Sequence, residues 1–176
     1  MQNTNKERHI SSLQAKRGQM MVEAVVALSM LALGAISIFT LLSSSYRFNR
    51  VSTHEYIAAN LAAEGIEIIR NIVDKNVMNL IGFNDDLISC ENGCSVQYDS
   101  IAVGSVQDNF LNFNPTSGLY LYDTAFENTV FKRNLILKNE PAIGPNRIEV
   151  ISTVSWKDRG LTYSVVLEDH LYNWRQ

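Results

Sequence analysis

The stretch KRGQMMVEAVVALSMLALGAISIFTLL, residues 16–42, decides how this chain is organised. Within it, residues 24–42 form a run of 19 residues without a charge. As an α-helix rising about 1.5 Å per residue, this run extends roughly 28 Å, close to the bilayer hydrocarbon thickness of about 30 Å. A buried core helix is the alternative interpretation, but core helices are rarely apolar on every face over this length. The run therefore predicts a membrane-spanning helix.

Charge is distributed unevenly along the 176 residues. The whole chain has 15 basic and 18 acidic residues, a net charge of -3. Residues 1–18 hold four basic residues and one acidic residue, so the remainder has 11 and 17 and a net charge of −6. Such an acidic remainder argues against nucleic-acid binding, which depends on Lys and Arg at the phosphates. Lys16 and Arg17 precede the apolar run, which predicts a cytoplasmic N-terminus and an exported C-terminal part.

A secretory signal peptide is a further alternative for the N-terminal region. It needs a short apolar core followed by small residues at a cleavage site, a role that residues 43–45 could serve. Release there would leave a secreted protein, such as an enzyme, that begins near Tyr46. The apolar run is longer than the usual signal core. Glu23 at its edge also does not fit a plain signal, because a carboxylate at the membrane is costly and usually functional.

The positions of Gly18, Gln19 and Glu23 carry a resemblance to a known family. Basic residues lead to Gly18, Glu23 follows five residues later, and a charge-free helix follows Glu23. In this combination the chain resembles the type IV pilins and the type II secretion pseudopilins. The resemblance implies that a prepilin peptidase cuts between Gly18 and Gln19, that Gln19 is N-methylated and that Glu23 acts in assembly. Gln19 departs from the Phe, Met or Leu usual at the first mature position, a departure that bears on processing and methylation.

The same resemblance implies a structural subunit, a minor pilin or pseudopilin, of a type IV pilus or a type II secretion-type filament. Its partners would be the prepilin peptidase, other pilin subunits, an inner-membrane assembly platform with its ATPase, and membrane lipid. No cofactor and no nucleic-acid partner are expected. The chain would cross the inner membrane once, with its N-terminus in the cytoplasm, and would then enter a pilus or pseudopilus. The alternative is a membrane-anchored extracytoplasmic binding domain that never polymerises.

The helical pattern continues beyond the apolar run. The first proline of the chain is Pro115, so no proline interrupts a helix before it. Apolar residues at spacings of three and four predict one apolar face on a helix that reaches from about Met20 to about Asp74. A capping box at Ser52-x-x-Glu55 would instead begin a separate helix. The apolar positions are Ile57, Ala58, Leu61, Ala62, Gly65, Ile68, Ile69, Ile72 and Val73.

The pattern changes to a period of two after Asn79, which predicts antiparallel strands. The turn Lys157–Gly160 joins the last two strands as a hairpin, with Gly160 available for a positive φ. Because such a sheet has one apolar face, it needs a cover, and the apolar face of the helix supplies one. The predicted strands lie around residues 119–122, 131–137, 148–156 and 161–167.

These features predict an α+β fold in which a long N-terminal helix, membrane-spanning in its first half, packs on a C-terminal antiparallel β-sheet. This layout is similar to the pilin architecture. The predicted divisions are a prepilin leader at 1–18, a transmembrane or filament-core helix at 19–45, an amphipathic continuation of the helix at 46–79, and a pilin-like sheet domain at 80–176.

Cys90 and Cys94 flank Asn92-Gly93, a pair that favours a tight turn. In an exported domain this spacing predicts a disulfide, whose short loop stabilises by about 2 kcal/mol. No further Cys or His lies near enough in sequence to complete a metal site, so no metal is predicted. The sequence also has no nucleophile elbow, phosphate loop or informative Cys–His spacing. We therefore predict no catalytic residues and no enzyme, and we interpret His54 and His170 as packing or surface residues.

Overall fold

The computed structural model describes residues 3–85, 87, 90–105, 109–139 and 147–173, with side chains from residue 19 onwards except that of Asn139. The chain divides into two compact units, residues 1–50 and 51–176. Helix α1 (Asn3–Met78) has 76 residues and continues without interruption through Ser52 and Glu55. It begins before the predicted Met20 and ends after the predicted Asp74, and no separate helix begins at the candidate capping box.

The part of α1 that belongs to the second unit buries one face. The polar side, which includes Glu55, Asn60 and Asn71, is exposed. Ile57 is half-buried, and the remaining predicted positions of the apolar face are buried, which confirms the face read from the spacing. The buried positions are Ala58, Leu61, Ala62, Gly65, Ile66, Ile68, Ile69, Ile72 and Val73.

Two three-stranded antiparallel sheets follow the helix in the described residues. The smaller sheet contains β1 (Asn112–Asn114), β2 (Leu119–Leu121) and β3 (Glu127–Asn128), in the order β2-β1-β3. The main sheet contains β4 (Phe131–Asn139), β5 (Arg147–Asp158) and β6 (Leu161–Tyr172), in the order β4-β5-β6. The alternation predicted β2 and the three main strands but not the smaller sheet as such, because two- and three-residue strands are too short to show a period of two.

The core lies between α1 and the inner face of the main sheet. Every second residue of β5 from Ile148 to Trp156 is buried, and the intervening residues are half-buried. Ile69 and Ile72 pack with Val150 in one cluster. Ala58 and Leu61 pack with Trp156, and also with Leu111 beside the smaller sheet, in another. The helix therefore covers both sheets, and the predicted α+β class is confirmed at this level.

The hairpin between β5 and β6 has a two-residue turn. Asp158 pairs with Leu161, and the residues between them have positive φ angles, 48° at Arg159 and 83° at Gly160. Positive φ at both central residues gives the twist that matches antiparallel strands. The prediction of a positive φ at Gly160 is confirmed, whereas the positive φ at Arg159 was not anticipated from its side chain.

Gly65, the one glycine of α1 in the second unit, lies where the helix approaches the main sheet closely. A Cβ atom built there would lie 3.0 Å from Ser152 Oγ and 3.3 Å from both Arg133 Cδ and Leu135 Cδ2. Ser152 is fully buried, so it has little room to move away. Glycine at this point therefore sets the separation between the helix and β5.

We predict that Gly65→Val lowers the free energy of unfolding by about 1–3 kcal/mol, because a branched side chain overpacks this contact. The control is Ala63→Val, since Ala63 lies on the same helix but is exposed, and it should cost less than about 1 kcal/mol. Denaturant unfolding of the detergent-solubilised full chain, followed by tryptophan fluorescence, measures both. Equal effects of the two variants would contradict the close approach.

Candidate membrane and assembly site

The apolar segment of α1, residues 24–42, exposes side chains on every face. Among the described residues, one helical segment within Gln19–Met78 is long and apolar enough to cross a membrane, with a mean hydropathy of 2.4 in its most apolar window. None of that window is buried. Within the charge-free run, the side chains of Leu31 and Phe39 are 71% and 73% exposed. An exposed apolar surface of this size is typical of membrane-spanning and protein-binding segments.

The polar side chains inside the apolar segment are satisfied by the helix itself. Ser29 Oγ donates a hydrogen bond to the carbonyl oxygen of Val26 at 2.8 Å. Ser37 Oγ donates to the Leu33 carbonyl at 2.9 Å, and Thr40 Oγ1 donates to a carbonyl one turn back at 2.8 Å. Because hydrocarbon offers no partners to hydroxyl groups, this internal bonding suits a helix surrounded by lipid.

Gly18, Gln19 and Glu23 all lie within α1. Gln19 and Glu23 are exposed and are separated by four residues, about one helical turn. The helix therefore presents the α-carbon of Gln19 and the carboxylate of Glu23 on the same side, just before the charge-free run. Side chains are described only from residue 19 onwards, so Lys16 and Arg17 enter the argument by sequence alone.

Cys90 and Cys94 lie at disulfide distance, with their Cα atoms 5.1 Å apart. Gly93 between them has a φ of 107°, which agrees with the turn expected from Asn92-Gly93. The turn is attached to β4, because Cys94 N–H donates to the Leu135 carbonyl at 2.8 Å and Leu135 N–H donates back at 3.1 Å. Both cysteines are buried in the core beneath the helix. The pair therefore joins the loop after α1 to one edge of the main sheet.

Arg133 is a buried charge that the sequence analysis missed. Its side chain has no solvent exposure and lies between α1 and β4, where it forms a 3.1 Å ion pair with Glu64. It also donates to two backbone carbonyls, that of Leu61 at 3.1 Å and that of Val96 at 2.5 Å. Its own carbonyl accepts a hydrogen bond from the Tyr122 hydroxyl at 3.3 Å, and burial raises the pKa of that phenol.

A sequence signal for Arg133 did exist. It occupies the same face of β4 as Phe131, Leu135 and Leu137, at the one position of that alternation where an apolar residue was expected. A charge in such a place is stable only with partners, so the pattern could have predicted a buried Arg with a carboxylate opposite it. Its partner, Glu64, is half-buried and lies at the edge of the buried helix face.

Two groups of polar and charged side chains connect α1 with β6 and β5 with β6. Arg70 pairs at 2.7 Å with both Glu67, three residues earlier on α1, and Asp169 on β6. The hydrogen bond to Asp169 is the chief reason that the pKa of Arg70 is raised. His170 lies within 3.1 Å of Glu168 and 2.9 Å of Arg147.

His54, the other histidine singled out in the sequence, packs against an aromatic ring. Its imidazole meets the Phe131 ring edge-on, with ring centroids 5.6 Å apart. Phe131 continues through Trp156 to Tyr163, with successive centroid separations of 6.1 and 5.6 Å. The packing interpretation of His54 is therefore consistent with its surroundings.

Comparison of the chain with protein-family models, with curated proteins and with solved structures found no match. The functional interpretation therefore depends on the residues and geometry of the chain itself.

We predict that Cys90 and Cys94 are bridged in the exported protein and that replacing both with Ala lowers the free energy of unfolding by about 2 kcal/mol, the value for a short closed loop. Peptide mapping without reductant detects the bridge, and denaturant unfolding measures the loss. The wild-type chain treated with reductant is the control, and it should unfold like the double variant. Recovery of both residues as free thiols would contradict the prediction.

We predict that Arg133→Met lowers the free energy of unfolding by about 3–5 kcal/mol, because it leaves a partly buried carboxylate and two buried carbonyls without their donor. Lys138→Met is the matched control: Lys138 lies on the same strand and pairs with Glu149 at 3.1 Å, but its side chain is 53% exposed. That variant should cost less than about 1 kcal/mol. Denaturant unfolding compares them, and similar losses would show that Arg133 has no special role.

Proposed function

We propose that this chain is a structural subunit of a type IV pilus or a type II secretion-type filament, a minor pilin or pseudopilin. The observation that carries the proposal is the spacing of Gly18, Gln19 and Glu23 directly before an apolar helical segment with no buried face. The prepilin peptidase cuts after Gly18, and the mature chain of residues 19–176 assembles through its N-terminal helix.

The apolar segment supports this function because it suits two surroundings. Apolar side chains cover all its faces, and its hydroxyl groups bond internally, so lipid satisfies it before assembly. The same surface can pack against equivalent helices from other subunits, since helix association in an apolar environment depends on packing and on the pairing of polar groups. Movement from one surrounding to the other is the assembly step.

Glu23 supplies the polar group for that step. Cleavage after Gly18 creates a positive amine on Gln19, about one turn from the Glu23 carboxylate. An unpaired charge in lipid costs about 2.5–3.5 kcal/mol on insertion scales. When adjacent helices are staggered by one turn, the amine of one subunit meets the carboxylate of the next. The pairing neutralises both charges, favours association and sets the register.

The fold of the second unit, residues 51–176, also supports the proposal. One face of α1 packs on antiparallel sheets, which is an α+β layout that a pilin-like subunit would also need. The unit would lie outside the inner membrane, with the N-terminus in the cytoplasm before cleavage. By the same proposal, an assembly platform and its cytoplasmic ATPase supply the energy.

We predict that Gly18→Leu leaves an uncut precursor in the membrane, because the peptidase needs a residue without a side chain at the scissile bond. Mass spectrometry of wild-type protein from its own host should give residues 19–176, with or without one methyl group on the new amine. Gly34→Leu is the control: a Cβ at Gly34 meets nothing within 4 Å, so this variant should be processed normally. Normal trimming of Gly18→Leu would contradict the cleavage site.

The same mass spectrum separates the alternative functions. A chain that retains Met1 in the membrane fraction would favour an anchored binding domain that does not polymerise. A chain that begins near Tyr46 would favour a secreted protein released by signal peptidase. Only a start at Gln19 supports the filament subunit.

We predict that Glu23→Val inserts into the membrane and is still cleaved after Gly18, yet enters filaments poorly, because the new amine on Gln19 then lacks its partner. The control is Glu55→Val, which removes the same charge from an exposed position outside the apolar segment and should be incorporated normally. Immunoblotting of purified, sheared filaments measures incorporation relative to the membrane pool. Normal incorporation of Glu23→Val would contradict the pairing mechanism and leave the cleavage prediction intact.

A further inference from the structure

A cavity of about 210 Å³ lies beside the C-terminal end of α1 and the end of β6, within the second unit. Val73 and Phe83 line it from the buried core, whereas Asp74, Met78 and Tyr172 are exposed, so the cavity opens to solvent. A cavity of about 150 Å³ accepts a benzene ring, and pockets for larger ligands start at about 300 Å³. This cavity therefore has room for one group the size of a side chain.

The turn after α1 fixes the shape of the cavity. Leu80 has a φ of 57°, the left-handed conformation that commonly ends a helix. The N–H of Ile81 donates to the Asn76 carbonyl at 3.0 Å, as in a Schellman motif. The Leu80 N–H donates to the Val77 carbonyl at 3.3 Å and completes that motif, which reverses the chain. The reversal returns Phe83 to the buried core, so hydrogen-bonded backbone holds the two sides of the cavity together.

The charge around the cavity is negative. Among the described residues that line it, Asp74 is the only charged one. Glu67, Asp74 and Asp169 all act electrostatically on Arg70. Only Glu67 and Asp169 pair with that guanidinium, each at 2.7 Å. Lys75, the basic residue of the last helical turn, is exposed and does not line the cavity. One guanidinium thus faces three carboxylates, and the excess negative charge at Asp74 favours a cation over an anion.

A metal ion does not suit this cavity. Ca²⁺ and Mg²⁺ require about six or more oxygen ligands, whereas Asp74 supplies a single carboxylate. The part of the chain that the structure describes contains no group of three or more His, Cys, Asp or Glu residues that could hold a metal ion. The apolar residues of the lining instead suit a cation that carries an apolar part of its own.

The position of the charge decides the orientation of such an organic cation. Asp74 belongs to the exposed side of the cavity, whereas Val73 and Phe83 on the buried side are apolar. The negative end of the helix dipole also favours a cation near the last turn of α1. The ring of Tyr172 attracts cations as well, since the guanidinium carbon of Arg147, which does not line the cavity, lies 5.5 Å from its centroid. The apolar end of a ligand therefore enters first, and its positive charge stays beside Asp74.

We propose that this cavity binds a short aliphatic ammonium group, with its apolar end inward and its charge at Asp74. This chemistry is shared by a free aliphatic amine and by the first residue of a polypeptide whose side chain is apolar. Val77 and Met78 contact the alkyl chain and remove its surface from water. The Asp74 carboxylate accepts charge-assisted hydrogen bonds from the ammonium. The site goes beyond the proposed filament function and does not depend on it.

Methyl NMR of the detergent-solubilised full chain tests the proposal, with 3-methylbutylammonium as the probe. Met78 is the one methionine of residues 51–176, so its labelled methyl group reports on the cavity. Met30 lies in the apolar segment and reveals any uptake of the probe by the detergent. The Met78 signal should shift saturably, with a dissociation constant on the order of 10 mM for so small a ligand. 3-Methylbutan-1-ol, which has the same shape without the charge, should bind about fivefold more weakly.

Two pairs of variants test the charge and the position of the site. Asp74→Asn should weaken binding of the probe about fivefold, the value of a partly exposed ion pair. Glu55→Gln, which removes an exposed carboxylate about 28 Å away on the same helix, should change the affinity by less than about twofold. Asn173→Lys places an ammonium group at the lining and should also weaken binding about fivefold. Its control is Asn79→Lys, at an exposed position outside the lining, which should have less than about a twofold effect. An unchanged circular dichroism spectrum shows that each variant folds.

Two further ligands identify the source of the ammonium group and its orientation. Leucine N-methylamide has the free α-ammonium and apolar side chain of a polypeptide N-terminus. Tighter binding of this compound than of the probe would assign the site to a polypeptide, and the reverse order would assign it to a free amine. Nα-acetyl-lysine N-methylamide carries its ammonium at the far end of its chain. It should bind about fivefold more weakly than the probe, because its charge would have to enter the apolar side of the cavity.

The results that would overturn the proposal are equally definite. They are the lack of a saturable Met78 shift, equal binding of the ammonium and the alcohol, and equal binding of the probe to Asp74→Asn and wild type. Arg175 follows Asn173 by two positions and lies outside the described residues. Binding that appears only in Arg175→Gln would assign the cavity to the chain's own C-terminal residues and would also overturn an external ligand. None of these results depends on cleavage after Gly18, so failure of the filament function is detected separately.

Discussion

The second unit depends on the burial of one face of α1 against the inner face of the main sheet. Residues 58–73 of α1 present an apolar face that the helix cannot bury by itself. The main sheet also has one apolar face, and the two faces bury each other. Gly65 allows the two to approach closely, and Trp156 and Leu111 extend the contact towards the smaller sheet. The disulfide turn then fastens the loop after the helix to β4.

Burial of the Arg133 guanidinium in that interface costs desolvation free energy, and its hydrogen bonds fix the arrangement of the groups around it. A guanidinium without solvent exposure is stable only because Glu64 and two carbonyls, from Leu61 and Val96, accept its hydrogen bonds. These partners belong to the helix and to the loop that precedes the smaller sheet. One side chain therefore holds three parts of the chain in a single arrangement, which purely apolar contacts would specify less sharply.

The apolar side chains in the two parts of α1 are covered in different ways, and the proposed function depends on this difference. From residue 51 onwards the helix satisfies its apolar face within its own chain, whereas residues 24–42 leave theirs to the surroundings. A subunit that moves from lipid into a filament needs this division, because the folded unit must survive while the neighbours of the apolar segment change.

The sequence by itself determined the apolar segment, the helix face, the alternation of β4–β6 and the cysteine turn, because each depends on residues close together in the chain. It also carried the whole of the Gly18–Glu23 proposal. Only the tertiary structure decided that Glu64 turns towards Arg133, that Arg70 reaches Asp169 and that short strands form a second sheet. Those contacts join residues up to 99 positions apart, so no local period records them. Among the described residues, the place of β6 at one end of the order β4-β5-β6 was likewise decided by the tertiary structure, since alternation gives a strand's faces but not its neighbours.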